Sequence, residues 1–289
     1  MDNRLTEPQR RRLQRFGAAE SVDVHCHCLP GIDDGPADAA ESVALCRALA
    51  DDGFTTVVAT PHQLGRYDRR NSARLIRAAV ESLSGMLAAE RVPLTVVPGA
   101  DVRIDERLVP LIDAGEVLTV GGSGAYVLLE LPHDVYIDPV PVIRLLGARG
   151  LRAVMTHPER HKSVRARPDA VTQWIDAGAV LQVTAGSLLG MFGDDAERSA
   201  WEWLAAGRVA LVATDSHDTT RRPPCMTRAL DAIERRLGGE IARRVCVDNP
   251  LRVLRHRREE RAPVDASRPT ATSPAAGPRR WGKGVAREA

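Results

Sequence analysis

Seven short apolar, β-branched runs alternating with segments of helical period predict an α/β chain with a parallel sheet. The reactive side chains fall again and again at the C-terminal ends of those runs. That placement favours a closed TIM-like barrel over an open sheet, because a barrel gathers all its strand ends on one rim. The strand candidates are Val22–His27, Thr55–Thr60, Leu94–Pro98, Tyr126–Leu131, Arg152–His157, Ala179–Thr184 and Val209–Thr214. Between them, Arg74–Leu87 places Leu75, Ile76, Ala79, Val80, Leu83 and Leu87 on one helical face. Pro36–Asp51, Pro139–Ala148, Pro168–Ala177, Ala196–Ala205 and Met226–Leu237 read the same way. Several open near Pro and end near Gly53, Gly150 or Gly178, as helix boundaries do.

A chain of 289 residues is long enough for this architecture as a single domain. Aromatic residues make up only 3 % of it, so the core must be built from Val, Leu, Ile and Ala. Residues 1–20 read as a basic arm, with five Arg against two acids in the first sixteen positions. Residues 21–254 form the body, which is net acidic. Residues 255–289 carry nine Arg or Lys against four acids in a Pro-, Ala-, Ser- and Thr-rich segment. So few apolar groups cannot offset ordering entropy, and a disordered basic tail is expected. Basic ends on an acidic body make no nucleic-acid groove; solvated tails, or contact with a membrane surface or an acidic partner, are the readings they allow. There is no apolar run of about 18 residues to span a bilayer. The five cysteines lack the spacing of a disulfide framework, so reduced thiols in the cytoplasm are expected.

The strongest local signal is Asp23-Val24-His25-Cys26-His27. Positions i and i+2 of a strand share a face, so two imidazoles can converge on one divalent ion while Cys26 and Cys28 face away. Taken alone, the pair could equally be a surface pair. Asp33-Asp34-Gly35 follows in a turn. Thr60-Pro61-His62 ends the second strand candidate, Asp101 stands just past the third, and His157-Pro158-Glu159-Arg160 and Asp215-Ser216-His217 end two more. Glu130 lies inside Leu128-Leu129-Glu130-Leu131, where a carboxylate needs either a cation or a buried Arg partner. Five such sites at corresponding strand ends make a satisfied-core reading poor for the set.

These motifs together resemble the polymerase-and-histidinol-phosphatase (PHP) superfamily, and within it the bacterial manganese-dependent protein-tyrosine phosphatases of capsular and exopolysaccharide loci. Gln182–Gly193 is similar to that subgroup's loop and Asn249-Pro250 to its terminal Asn-Pro. The resemblance implies a distorted (β/α)7 barrel with a metal site of two or three ions. Mn would be the preferred metal, with Fe, Zn, Co or Mg also compatible. By position, His25, His27, Glu130 and Asp215 would hold one metal; Glu130, His157 and Asp101 a second; Asp34, His62 and His217 a third. Asp33 would shape the turn. Asp101 stands where the family usually has Glu, and Gln63 where some relatives have His.

The implied reaction is phosphomonoester hydrolysis by metal-bound hydroxide, with Asp215, His217 and Arg160 catalytic and Arg160 and Arg221 or Arg222 binding phosphate. A tyrosine-phosphorylated protein, a bacterial tyrosine kinase of polysaccharide export, would be the substrate, and a homo-oligomer is compatible. Alternatives within the superfamily are a histidinol-phosphate-type phosphatase or a nuclease-like domain; outside it stands an inactive phosphotyrosine-binding module. A thiol mechanism is set aside, since neither Cys225-Met-Thr-Arg228 nor Cys246-Val-Asp-Asn249 reads as Cys-x5-Arg, and Cys225 and Cys246 read as packing residues.

Overall fold

A computed structural model describes residues 20–256, apart from 123 and 134. The expected basic arm and basic tail fall almost wholly outside the described residues. Among the described residues nine strands run parallel in two sheets: β1 (Val22–Cys26), β2 (Thr56–Ala59) and β4 (Thr95–Pro98) in the order β1-β2-β4, and a six-stranded sheet in the order β3-β5-β6-β7-β8-β9. The latter comprises β3 (His62–Gln63), β5 (Asp101–Arg103), β6 (Tyr126–Glu130), β7 (Arg152–Thr156), β8 (Val180–Thr184) and β9 (Val209–Ala213). All seven expected strands are present, and the second and third are each continued past an interruption by a further short strand, β3 and β5, that was not expected. Pro61 interrupts one by removing a ladder donor, and Gly99-Ala100 interrupts the other. Gly99 is required there, since a Cβ would lie 2.6 Å from Val58 Cγ1.

Helices begin where side chains satisfy their first amides. Asp38 Oδ1 accepts from Glu41 N at 3.0 Å, so α1 spans Ala39–Asp51 rather than starting at Pro36. Ser72 Oγ does the same for α2 (Ala73–Ala89), where Ile76, Val80, Leu83 and Leu87 of the expected stripe are buried and Ala79 partly so, while Leu75 faces solvent. Short helices at Leu108–Asp113, Lys162–Arg165, Gly239–Arg243 and Asn249–Arg255 have too few residues to show a period in sequence. The larger apolar cluster fills the space between helices and sheets. A smaller one, including Val22, Val24, Val58, Leu128, Val154 and Leu211, is covered by Val253 of the last helix.

Two long-range contacts explain polar residues in this framework. Asn249 Nδ2 donates to the carbonyl of Ala210 at 2.8 Å, beside the register shift between β8 and β9, which gives the Asn-Pro pair a structural role. Asp52, just past α1, caps the helix at Met226–Leu237 from afar: Met226 N donates to its Oδ2 at 2.6 Å and Thr227 N to its Oδ1 at 3.0 Å. Asp52→Ala is therefore expected to cost about 2 kcal/mol. In thermal denaturation that is a fall of about 4–8 °C, and an unchanged midpoint would show the cap to be idle.

Candidate active site

The backbone between Asp23 and Cys26 carries one extra residue relative to β2, since Asp23 pairs with Val57 but Cys26 with Ala59. Such a bulge re-aims side chains. Here it turns His25 and His27 toward the ends of β8 and β9, while Cys26 and Cys28 join the larger apolar cluster. Buried Asp23 braces it, accepting from His25 N at 3.3 Å and from Thr214 N at 3.1 Å. The segment after β9 lies alongside β1, with Asp215 N donating to His25 O at 2.8 Å and His27 N to Ser216 O at 2.9 Å. His157 and Asp215, which follow β7 and β9, adopt left-handed backbone with φ of 33° and 51°. For residues with a Cβ this costs of order 1–3 kcal/mol and is found where a side chain must be aimed.

Four groups of ligand atoms lie close enough to share ions: His27, Asp34, His62 and His217; His25, His27 and Asp101; His25, His157 and Asp215; His62, Asp101 and Glu130. All nine residues anticipated from sequence are among them. His25 Nδ1 contacts Gln182 Oε1 at 2.9 Å, His27 Nδ1 contacts Asp33 Oδ2 at 2.7 Å, and His217 Nδ1 contacts the carbonyl of Asp215 at 2.9 Å. Each acceptor fixes the N–H on Nδ1 and leaves the Nε2 lone pair inward. His25 and His27 Nε2 are then 3.2 Å apart, and 3.3 and 3.4 Å from Asp215 Oδ1. Lone pairs at that spacing repel unless a proton or a metal ion sits among them. Asp101 Oδ2, Asp215 Oδ1 and His217 Nε2 are buried without hydrogen-bond partners, as atoms aimed at an ion would be.

Asp101, one methylene shorter than the Glu usual in the family, still lies among the imidazoles. Thr156 Oγ1 donates to Oδ1 at 3.2 Å, while Oδ2 stands 3.7 Å from His25, 3.5 Å from His62 and 3.9 Å from His157. Glu130 is placed differently from the sequence assignment. It groups with Asp101, its expected companion at the second ion, and with His62, but not with His25 and Asp215; Arg103 lies 2.8 Å from its Oε2. The buried Arg partner weighed for Glu130 is thus present beside the cluster. Asp33 both shapes the turn, accepting from Gly35 N at 3.0 Å, and orients His27.

The electrostatics fit cation binding. Burial opposes charge on His27, but Asp33 and Asp215 overcome it and lift its pKa to about 10, so a metal ion bound there must displace a proton from this ring. Burial, reinforced by His27, lowers His217 to about 4, so its ring is neutral near pH 7. Burial would raise Asp215, yet Arg222, His25 and Arg160 hold it well below the usual range.

Of the candidate phosphate-binding residues, Arg160 and Arg222 both bond Asp215 Oδ2, and Arg222 Nε is buried with no partner. Arg221 instead points outward, its side chain 87 % exposed and 3.5 Å from Asp218. Glu159 does not pair with Arg160; it accepts from Thr184 N and Ser187 Oγ at 2.9 and 2.7 Å. Gln63 is a staple rather than a ligand: its amide donates to the carbonyls of Asn71 and Glu116 and accepts from Leu118 N. A cleft of about 280 Å³ opens onto the His62 side, lined in part by Asp34, His62, Tyr67, Arg103, Glu130 and His133.

Gln182 and Asp33 are the site residues whose roles sequence reasoning missed. A polar residue in mid-strand and a doubled Asp were the available signals. Thiol chemistry finds no support. Cys246 does precede Arg252 at the Cys-x5-Arg spacing, which the sequence reading overlooked. It lies inside a helical turn, buried, with its thiol pushed up by burial, and burial likewise lifts Cys225 to about 12. Arg252 lines a pocket beside Tyr126, at the opposite end of β6 from Glu130.

Residues 21–255 match the family model described as "Capsular polysaccharide synthesis, CpsB/CapC". The tyrosine-protein phosphatase YwqE of Bacillus subtilis is 32 % identical over 222 residues, covering 76 % of this chain and 86 % of that one. The tyrosine-protein phosphatase CpsB of Streptococcus pneumoniae is 27 % identical over 242 residues, 81 % of this chain and 98 % of that one. A chain from the crystal structures of these two proteins, described as unique metal-dependent tyrosine phosphatases, superposes with a TM-score of 0.78. It is 30 % identical and covers 82 % of this chain and 95 % of its own length. The bulged His-x-His strand, the convergent ligand set and the match over nearly all the described residues agree: this chain belongs to the CpsB/CapC family.

Proposed function

We propose that the chain is a metal-dependent protein-tyrosine phosphatase whose substrate is a phosphorylated tyrosine kinase of polysaccharide export, acting in the cytoplasm. The observation that carries the phosphatase reading is the convergence of unpartnered Asp101 Oδ2, Asp215 Oδ1 and His217 Nε2 beside two guanidiniums. His25, His27, Asp34, His62, Asp101, Glu130, His157, Asp215 and His217 would hold two or three divalent ions. Their imidazole and carboxylate donors suit Mn and equally Fe, Zn or Co. When bound, such ions supply Lewis acidity, lowering the pKa of water and screening phosphate charge. Gln182 and Asp33 keep the imidazoles aimed. Arg160 and Arg222 offer planar forks of donors to the equatorial phosphate oxygens, Arg222 with an Nε–H still free.

A tyrosyl leaving group, with a parent pKa near 10, needs less proton assistance than a serine alkoxide. The cleft beside His62 can accept a group of phenol size. The two sheets, joined through the split strands and through the bonds between residues 25–27 and 215–216, support a distorted seven-stranded barrel with residues 21–254 as the catalytic body. No described helix is long and apolar enough to cross a membrane, so approach to a membrane-borne kinase would fall to the basic ends.

A metal-resolved assay tests the reading. Manganese-loaded protein should hydrolyse phosphotyrosine peptide at least about tenfold faster than phosphoserine peptide, a difference of about 1.4 kcal/mol. Chelation should abolish turnover and thiol alkylation leave it intact. Hydrolysis of histidinol phosphate but not phosphotyrosine would overturn the substrate assignment.

A further inference from the structure

The Gln182–Gly193 segment contributes more than its glutamine. Phe192, half-buried near its end, lies with its ring centroid 4.4 Å from the guanidinium carbon of Arg160 and 6.0 Å from that of Arg222. The ring is itself held in place. Met191 N donates to Gly186 O at 3.0 Å, and a Cβ on Gly186 would meet Met191 Sδ at 3.0 Å and Phe192 Cε2 at 3.1 Å. From the other side, Glu159 accepts from Thr184 N and Ser187 Oγ, so the residue before Arg160 is tied to the base of the loop that carries Phe192. The two segments interlock through Glu159 and through the Arg160–Phe192 stack.

Both arginines share one acceptor, Asp215 Oδ2. A guanidinium held through one nitrogen at one oxygen can still swing out of plane, and a phosphoryl group needs that plane fixed. The geometry points to Phe192 as a positioning residue: its π face seats the Arg160 and Arg222 guanidiniums so that their remaining donors face an incoming phosphate. The inference rests on these arginines being the phosphate-binding groups of the proposed phosphatase. The aromatic quadrupole supplies the attraction, and a saturated side chain of similar bulk lacks it.

Calorimetric titration of the metal-loaded full chain with inorganic phosphate tests this without turnover. Phe192→Leu is expected to weaken phosphate about 5- to 30-fold, the effect of two such contacts at a partly exposed site. KM for an aryl phosphate should rise by a similar factor while kcat changes by less than about threefold. Metal stoichiometry should match the unsubstituted protein while the thermal midpoint falls by about 2–8 °C, and Phe192→Tyr, which keeps the ring face, should restore phosphate affinity. Phosphate affinity in Phe192→Leu within twofold of the unsubstituted chain overturns the proposal, as does a Tyr variant as weak as the Leu one. Unsubstituted protein that binds phosphate but turns over no phosphotyrosine would sink the substrate reading and leave this comparison standing.

Discussion

Asp215→Asn is expected to lower kcat/KM on an aryl phosphate by about a thousandfold or more, a loss of about 4 kcal/mol in transition-state stabilisation. Asp215 is the hinge between the two halves of the site. Its Oδ1 faces His25 and His27 at 3.3 and 3.4 Å, and its Oδ2 receives Arg160 and Arg222. An amide cannot reproduce both faces, because one of its two atoms becomes a donor. If the amide oxygen turns to the imidazoles, an NH2 group confronts two guanidiniums; if it turns the other way, the cation position meets N–H. Metal content should therefore fall together with activity. Folding should suffer less, by about 1–3 kcal/mol, since each arginine is partly exposed and can hydrate. Thermal melts of the metal-free protein separate the two effects. Retention of a tenth of the activity at full metal content would show that Asp215 is not a ligand.

Arg222→Met should lower kcat/KM about a hundredfold, whereas Arg221→Met should stay within twofold. The two neighbours diverge because Asp218 organises the turn between them and His217. Its Oδ1 accepts from Thr220 N at 2.7 Å and Arg222 N at 3.2 Å, while His217 N donates to Arg222 O at 3.0 Å. That turn sends the Arg222 side chain inward to Asp215 and leaves Arg221 in water. Steady-state kinetics on both variants decide it. Equal losses would mean that the turn rearranges when substrate binds.

Much of this was legible in the chain. The apolar runs show the strands to within a residue or so, because a buried parallel strand is apolar on both faces and little else has that signature at five residues. The short strands that resume after Pro61 and Gly99-Ala100 were not legible, since two- and three-residue strands carry no periodicity. His25 and His27 could be paired by alternation, but the bulge that aims them depends on register with β2, a partner some thirty residues away. Glu130 could be marked as needing a cation or an arginine; that Arg103 would be the arginine, and would draw it toward His62, depends on the neighbouring strand. Arg221 and Arg222 were indistinguishable because their difference lies in a turn held by one carboxylate.

The bonds between residues 25–27 and 215–216 also bear on how the chain comes off the ribosome. Cys26 and Ser216 stand 190 residues apart, so at roughly 5–20 residues per second β1 waits roughly 10–40 s for one of its two neighbours. Throughout that interval a strand that is buried along its whole length in the finished fold presents an unsatisfied edge. The first ligands to be made are thus also the first to need shelter. Shortage of a chaperone should therefore reduce the yield of assembled protein more than it reduces synthesis.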